Sequence, residues 1–220
     1  YYLQNIVLHF KGYFYLLLIC LGCIQKSQAQ FQFVSDSQKI GLSFGEGQQN
    51  RFPYQNENYR FEHKHLKLAF NQVFYKSAHF ELELQIEPVV YWSKHQLLNK
   101  YFIQPQHFED YEALREKFTQ ERQFNSYAVN FGVLLRHYIS QFYSIYALAS
   151  VGPMYSDAGT ERVKNGFTFT DILGFGTSLH LHRFQIDLRL YAKHDSNANL
   201  KTPNHGHNSV VVETGVLYRL

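Results

Sequence analysis

Apolar and polar residues alternate strictly along residues 184–193 of this chain. The apolar positions are Phe184, Ile186, Leu188, Leu190 and Ala192, and the polar positions between them include Asp187 and Arg189. Successive side chains of a β-strand point to opposite faces, so this pattern predicts a strand with one apolar and one polar face. Residues 80–87 alternate in the same way, with leucines opposed by glutamates.

Eight stretches of this kind follow one another along the chain. They begin near residues 40, 59, 80, 127, 143, 167, 184 and 210. The segments after the first, third, fifth and seventh stretches are long and polar, whereas those after the second, fourth and sixth are short. Outer-membrane barrels combine short periplasmic turns with long external loops. The pattern therefore predicts an all-β fold, an eight-stranded antiparallel transmembrane β-barrel with long external loops and short periplasmic turns.

In such a barrel, one face of each strand meets lipid and the other face fills the interior. We expect lipid to contact Leu82, Leu84, Phe131, Val133, Leu188 and Leu190, and the interior to hold Glu83, Asp187, Arg189 and Glu213. Eight strands leave a lumen just wide enough to be filled by side chains, so we do not expect an open pore. Because a basic residue at the lipid midplane costs about 2–4 kcal/mol, Leu188→Arg is expected to impair folding far more than Arg189→Leu.

Two places depart from the alternation. Asp171 interrupts the apolar face of the sixth strand, and the pattern offers no reason for it. Residues 93–122 form a long, charged connection, which we interpret as a solvated loop. The alternative is a short helix over 108–118, where carboxylates come early and basic residues late, as helix dipoles prefer.

Residues 1–29 are predicted to be a secretory signal peptide, and residues 30–220 to be the barrel domain. Lys11 precedes an apolar run at 13–24 that is too short to cross a membrane as a helix, and Ser27-Gln28-Ala29 is a small-x-small cleavage site. Both cysteines lie in this segment, so the mature chain is expected to contain no thiol. A lipoprotein site at Leu21-Gly22-Cys23 is the less favoured alternative.

Composition adds limits to this picture. The formal net charge of +3 is too small to indicate a nucleic-acid partner, and the 17% of aromatic residues suits the aromatic girdles of a barrel. Three histidine pairs have the one-residue spacing seen in some metal sites, namely His63/His65, His180/His182 and His205/His207. No matching carboxylate cluster or mature cysteine accompanies them, so structural roles are favoured. We expect neither a metal nor another cofactor.

His194 and Ser196 continue the apolar face of the seventh strand. Two residues apart on a strand, they lie side by side on one face, where a histidine can act as base for a serine nucleophile. An apolar face around such a pair makes sense if the face meets a membrane and the substrate is a lipid. The alternative is a strand end that enters a polar loop.

The surrounding residues resemble a known family signature. His194-Asp195-Ser196-Asn197-Ala198, followed by Pro203-Asn204-His205-Gly206, is similar to the H-x-S-N-A…P-N-x-G pattern of the PagL-like lipid A deacylases. The resemblance implies an outer-membrane barrel that removes an ester-linked acyl chain from lipid A. It assigns His194 as base and Ser196 as nucleophile, with Asn197 and the backbone N–H near Asn199 as oxyanion donors and Asn204 shaping the site.

One position departs from that family. Its members orient the histidine with a glutamate, and the spacing assigns this role to Asn208. An amide can accept a hydrogen bond from imidazole but cannot stabilise imidazolium by charge. The downstream Glu213 has the wrong parity, since it is expected to point inward, as is Asp195. The expected enzyme is thus a serine esterase of the cell outer membrane that acts on lipopolysaccharide, and the alternative is a non-enzymatic barrel that is structural or binds lipid.

Overall fold

Eight strands form in the computed structural model, which describes residues 38–220. They are β1 (Gln38–Gln48), β2 (Tyr59–Lys76), β3 (Phe80–Leu97), β4 (Arg122–Tyr138), β5 (Tyr143–Ser156), β6 (Gly166–Leu181), β7 (Phe184–Ser196) and β8 (His207–Arg219). Each strand pairs antiparallel with its neighbour in sequence, and β1 pairs with β8 to close the barrel. The predicted fold class is therefore confirmed. Closure satisfies the backbone hydrogen bonds of every strand, which a strand surrounded by lipid requires.

Short turns and long loops alternate around the barrel. Residues 77–79, 139–142 and 182–183 connect strands at one end, whereas residues 49–58, 98–121, 157–165 and 197–206 connect strands at the other. This confirms the predicted asymmetry, and the long loops define the outer end of the barrel. The seventh strand runs toward that end, so its last residues lie at the outer rim.

The two faces of the barrel wall differ as the alternation predicts. Leu84, Phe131, Val133, Leu188 and Leu190 are exposed on the outside. The interior is filled by paired charges: Lys67 Nζ lies 2.8 Å from Glu213 Oε2, and Arg189 Nη1 lies 2.7 Å from Glu87 Oε1 and 3.2 Å from Glu213 Oε1. These side chains are almost completely buried, so the middle of the lumen is packed.

The interpretation of residues 93–122 as a solvated loop was wrong in part. A helix, α1 (Tyr111–Thr119), forms there after a single 3₁₀ turn at Lys100–Phe102. Its Phe118 is buried against Leu97 and Ile103, and Leu114 packs against the same cluster. The helix is too short to be stable by itself. Burial of these apolar side chains therefore stabilises it at the barrel end.

No helix among residues 38–220 is both long and apolar enough to cross a membrane. The predicted signal peptide at 1–29, with its cysteines and cleavage site, lies outside the described residues. The boundary between that segment and the barrel domain therefore remains a prediction.

Candidate active site at the outer rim

The end of β7 presents His194 and Ser196 on the outer face of the barrel wall. Both are half-buried, while Lys193, Asp195 and Asn197 point inward and are buried. Strand geometry separates neighbours on one face by roughly 6.6 Å along the strand, so the two side chains meet only if their tips turn toward each other. Ser196 Oγ makes no hydrogen bond within residues 38–220 in this structure. Its hydroxyl is therefore uncommitted and faces the lipid side.

Asn208 lies directly opposite His194 across the β7–β8 ladder. His194 Nδ1 and Asn208 Oδ1 are 2.6 Å apart. An amide oxygen can only accept a hydrogen bond, so in the neutral ring Nδ1 carries the hydrogen and Nε2 has the lone pair. The pairing thus fixes the orientation of the imidazole, whose other nitrogen, Nε2, is directed away from Asn208. The register explains why two residues fourteen apart in sequence come together.

Gly206 packs against the same imidazole. A Cβ built on it would lie 2.5 Å from His194 Cε1 and 3.2 Å from Nε2, and the residue has a φ of +70°. Glycine is the residue that tolerates both the positive φ and the absence of space. The glycine of the P-N-x-G segment therefore makes room for the histidine ring.

Three asparagines organise the loop between β7 and β8. The Asn197 backbone N–H donates to Asn204 Oδ1 over 2.7 Å, and Asn204 Nδ2 donates to Asn199 Oδ1 over 3.0 Å. Asn197 Nδ2 donates to the carbonyls of Lys201 and Pro203 at 2.7 and 3.2 Å. Its amide hydrogens are thus used within the loop, which gives the Asn197 side chain a bracing position rather than one directed at the serine.

The loop also contains a tight turn next to the serine. Leu200 N–H donates to Asn197 O over 2.9 Å, and the residues between them, Ala198 and Asn199, have φ values of 51° and 62°. This hydrogen bond with two positive φ values is the pattern of a type I′ turn. Ala198 and Asn199 are exposed, and neither backbone N–H has a hydrogen-bond partner among the described residues. These N–H groups are free for an external acceptor.

Arg162, which the sequence reasoning missed, braces this loop from the neighbouring one. Its Nε donates to Gly206 O over 2.8 Å, and its Nη2 donates to His205 O over 3.1 Å. The guanidinium also lies 4.2 Å from the centre of the Tyr59 ring. Partial burial lowers the pKa of His205, and the Arg162 charge lowers it further. No local pattern could reveal this role, because Arg162 lies on a different loop.

The remaining candidates lie elsewhere. Glu213 and Asp195 point inward, as predicted, and Glu213 is bound to Lys67, Arg189 and His65. His63, His65, His180 and His207 point into the barrel, so the wall separates them from the rim site. His182 lies in a turn and His205 in a loop. Within residues 38–220, no group of three or more His, Cys, Asp or Glu side chains could hold a metal ion.

The fold and this site together define an integral outer-membrane β-barrel with a histidine–serine pair on its lipid-facing rim. The family model described as lipid A 3-O-deacylase (PagL) matches residues 60–216. The chain belongs to this family, so it is an outer-membrane protein of the deacylase class of hydrolases, and the predicted resemblance is confirmed. No protein with a curated description matched the sequence.

Three solved structures are similar to this chain at low sequence identity. The outer-membrane enzyme PagL is similar at 15% identity and a TM-score of 0.50, with 80% of this chain and 97% of that chain covered. Neisserial surface protein A is similar at 10% identity and a TM-score of 0.45, with 83% and 97% covered. Ail of Yersinia pestis is similar at 13% identity and a TM-score of 0.41, with 84% and 99% covered.

Proposed function

We propose that this protein removes an ester-linked acyl chain, that at the 3-O position, from lipid A of lipopolysaccharide, with Ser196 as nucleophile and His194 as base. The observation that carries the proposal is the 2.6 Å contact of His194 Nδ1 with Asn208 Oδ1. It directs Nε2 away from Asn208, on the face that also bears Ser196. The family's name supplies the substrate and the acyl position.

The reaction follows from these groups. His194 Nε2 takes the Ser196 hydroxyl proton as Oγ forms a bond to the acyl carbonyl carbon. The developing oxyanion is met by the free N–H groups of Ala198 and Asn199, a backbone role that fits the turn geometry. The ester C–O bond then breaks, and the sugar oxygen leaves with the proton from His194. Water, deprotonated by the same imidazole, hydrolyses the acyl-serine and releases the fatty acid.

The surroundings of the site suit a lipid substrate. An apolar groove of about 820 Å³ lies on the outer surface of the wall, toward the end that carries the short turns. Leu190, Phe175, Leu188 and Ala147 contribute to its lining. An acyl chain whose ester group lies at the rim would contact the lipid-facing side chains of β7 below His194, such as Leu190 and Leu188. Burial of its methylenes there leaves the polar sugar at the outer surface.

The proposal is tested by mass spectrometry of lipid A from cells that express the full-length protein. Wild type should remove one acyl chain, and Ser196→Ala and His194→Ala should each lower the rate by about 10³-fold or more. Both variants should fold normally, because neither side chain is part of the buried core.

Ser156→Ala is the matched control, since Ser156 also ends a strand at the outer rim. Its hydroxyl points inward and bonds to Ser126 Oγ at 2.7 Å, so its loss should leave deacylation unchanged. Unmodified lipid A in cells that contain folded wild-type protein would contradict the proposal. It would favour the non-enzymatic barrel, whose supporting observation is the missing Ser196–His194 hydrogen bond.

A further inference from the structure

Asp171 lies beside His194 on the strand opposite to the one that carries Asn208. In the β6–β7 ladder Asp171 is the cross-strand partner of His194, and in the β7–β8 ladder Asn208 is its partner on the other side. All three side chains face outward. The imidazole is therefore flanked within one row by an amide and a carboxylate.

The surroundings of Asp171 provide little else for its charge. Its other ladder partner is Val151, and the next outward residue on its own strand is Leu173; these are 60% and 68% exposed to the lipid side. Asp171 makes no hydrogen bond or ion pair within residues 38–220. The groups that reach it electrostatically are His194 and, on the inner side of β7, Asp195. A carboxylate on an apolar, lipid-facing surface costs free energy. Its presence there therefore indicates a functional role.

The site lacks a charge where its chemistry needs one. Transfer of the serine proton turns His194 into imidazolium, and Asn208 offers this cation only a neutral oxygen. Directly opposed side chains have Cβ atoms roughly 4.5–5.5 Å apart, which is close enough for a carboxylate to favour the charged ring. No water-filled gap of the kind that screens surface pairs is expected at a lipid-covered face.

We propose that Asp171 supplies the negative charge that stabilises the imidazolium of His194 during catalysis, in place of a carboxylate at position 208. The inference rests on the proposed deacylase function. Asp171 contacts neither of the reacting atoms in this arrangement. It is a positioning residue that acts through His194. Asn208 sets the tautomer and Asp171 supplies the charge, so two residues share the role that one orienting acid has in the family.

The test is a double-mutant cycle of Asp171→Asn and Asn208→Glu in the full-length protein. Deacylation rates are measured on purified lipopolysaccharide in mixed micelles. Asp171→Asn should lower kcat roughly ten- to hundred-fold with little change in KM. Asn208→Glu should change the wild-type rate by less than about threefold but should restore most of the loss in the Asp171→Asn background. Asp171→Glu, which keeps the charge, should retain most activity.

Folding does not limit this experiment. Removing a charge from the lipid face should help insertion, and Asp171→Leu provides a second neutral variant with the same expected loss. Glu62→Gln is the matched control: Glu62 is also an outward carboxylate near the outer end of a strand, but β2 lies away from β7. Its neutralisation should leave kcat unchanged.

The outcomes separate the inference from the function on which it rests. An inactive wild type would contradict the deacylase proposal. An active wild type whose kcat survives Asp171→Asn would overturn the inference, as would an equal gain from Asn208→Glu in both backgrounds. A rise in KM alone would also overturn it, because it would mean that Asp171 binds the lipid headgroup.

Discussion

Polar residues occur in two regions of this barrel wall, and they are treated differently. Inside, Lys67, Glu87, Arg189 and Glu213 are buried and form ion pairs with one another. Outside, Asp171 and Ser196 face lipid without a hydrogen bond to any described residue. Both regions are poor in water, so the difference is not one of solvation. Charges that are buried and paired maintain the structure, whereas polar groups left unpaired against lipid are available for chemistry.

The interior network is expected to show the largest stability effect. Arg189→Leu leaves Glu87 and Glu213 without the guanidinium that lies 2.7 and 3.2 Å from them. Removal of one partner from a buried ion pair typically costs about 3–5 kcal/mol. Leu188→Arg costs about 2–4 kcal/mol by placing a charge in lipid. The earlier expectation that Arg189→Leu would be far better tolerated is therefore replaced by one of comparable damage.

Urea unfolding of both variants in lipid vesicles measures this comparison. Trp92 is the single tryptophan of the chain and faces outward on β3, so its fluorescence reports loss of the folded state. A wild-type free energy of unfolding for Arg189→Leu would show that the interior pairs are dispensable. The distinction between the two regions would then fail.

Gly206→Ala is expected to have an intermediate effect, confined to activity. The added Cβ would lie 2.5 Å from His194 Cε1, so the imidazole must move away from Asn208 or from Ser196. We expect kcat to fall roughly 10- to 100-fold, since small misplacements of a catalytic group are costly. Initial rates on lipopolysaccharide micelles measure the effect.

Gly166→Ala is the matched control for that substitution. Gly166 also has a positive φ, +102°, but a Cβ there would meet only Lys201 Nζ, at 3.5 Å. Both substitutions place alanine at a positive φ, but only Gly206→Ala brings a Cβ against His194. An equal loss of activity in both variants would show that loop strain, rather than crowding of the imidazole, is responsible.

Asn208→Ala is expected to have the smallest effect. It removes the acceptor that lies 2.6 Å from His194 Nδ1, so the preferred tautomer is lost but no charge is removed. We expect kcat to fall about 3- to 10-fold, far less than the roughly 10⁴-fold loss known when a triad aspartate becomes an amide. Asn125→Ala is the control, because it removes another outward amide at the outer end of a strand, which bonds to Asp157 Oδ2 over 3.0 Å. A loss above 100-fold for Asn208→Ala would show that the amide does more than orient the ring.

The amino-acid sequence by itself determined the barrel, its orientation and the face of each predicted wall residue. Apolar and polar side chains alternate with a period of two along each strand, and long and short connections alternate from strand to strand. Both patterns can be read from the sequence without knowing which strands pair. The pair His194 and Ser196, and the place of Asn208, also followed from local spacing and from the family signature. The helix α1 did not, because its stability comes from packing of Phe118 on Leu97 and Ile103.

Tertiary structure alone decided which carboxylate and which neighbouring loop accompany the histidine. The register of three strands places Asp171, His194 and Asn208 in one row, and Arg162 reaches Gly206 from a separate loop. Asp171 is 23 positions before His194 in the numbering, and the two are opposed because the tight turn at 182–183 sets the register of β6 against β7. A shift of register by one residue would turn Asp171 toward the interior. Strand pairing therefore decides which polar side chain lies beside His194. The alternation of apolar and polar residues within one strand contains no information about that pairing.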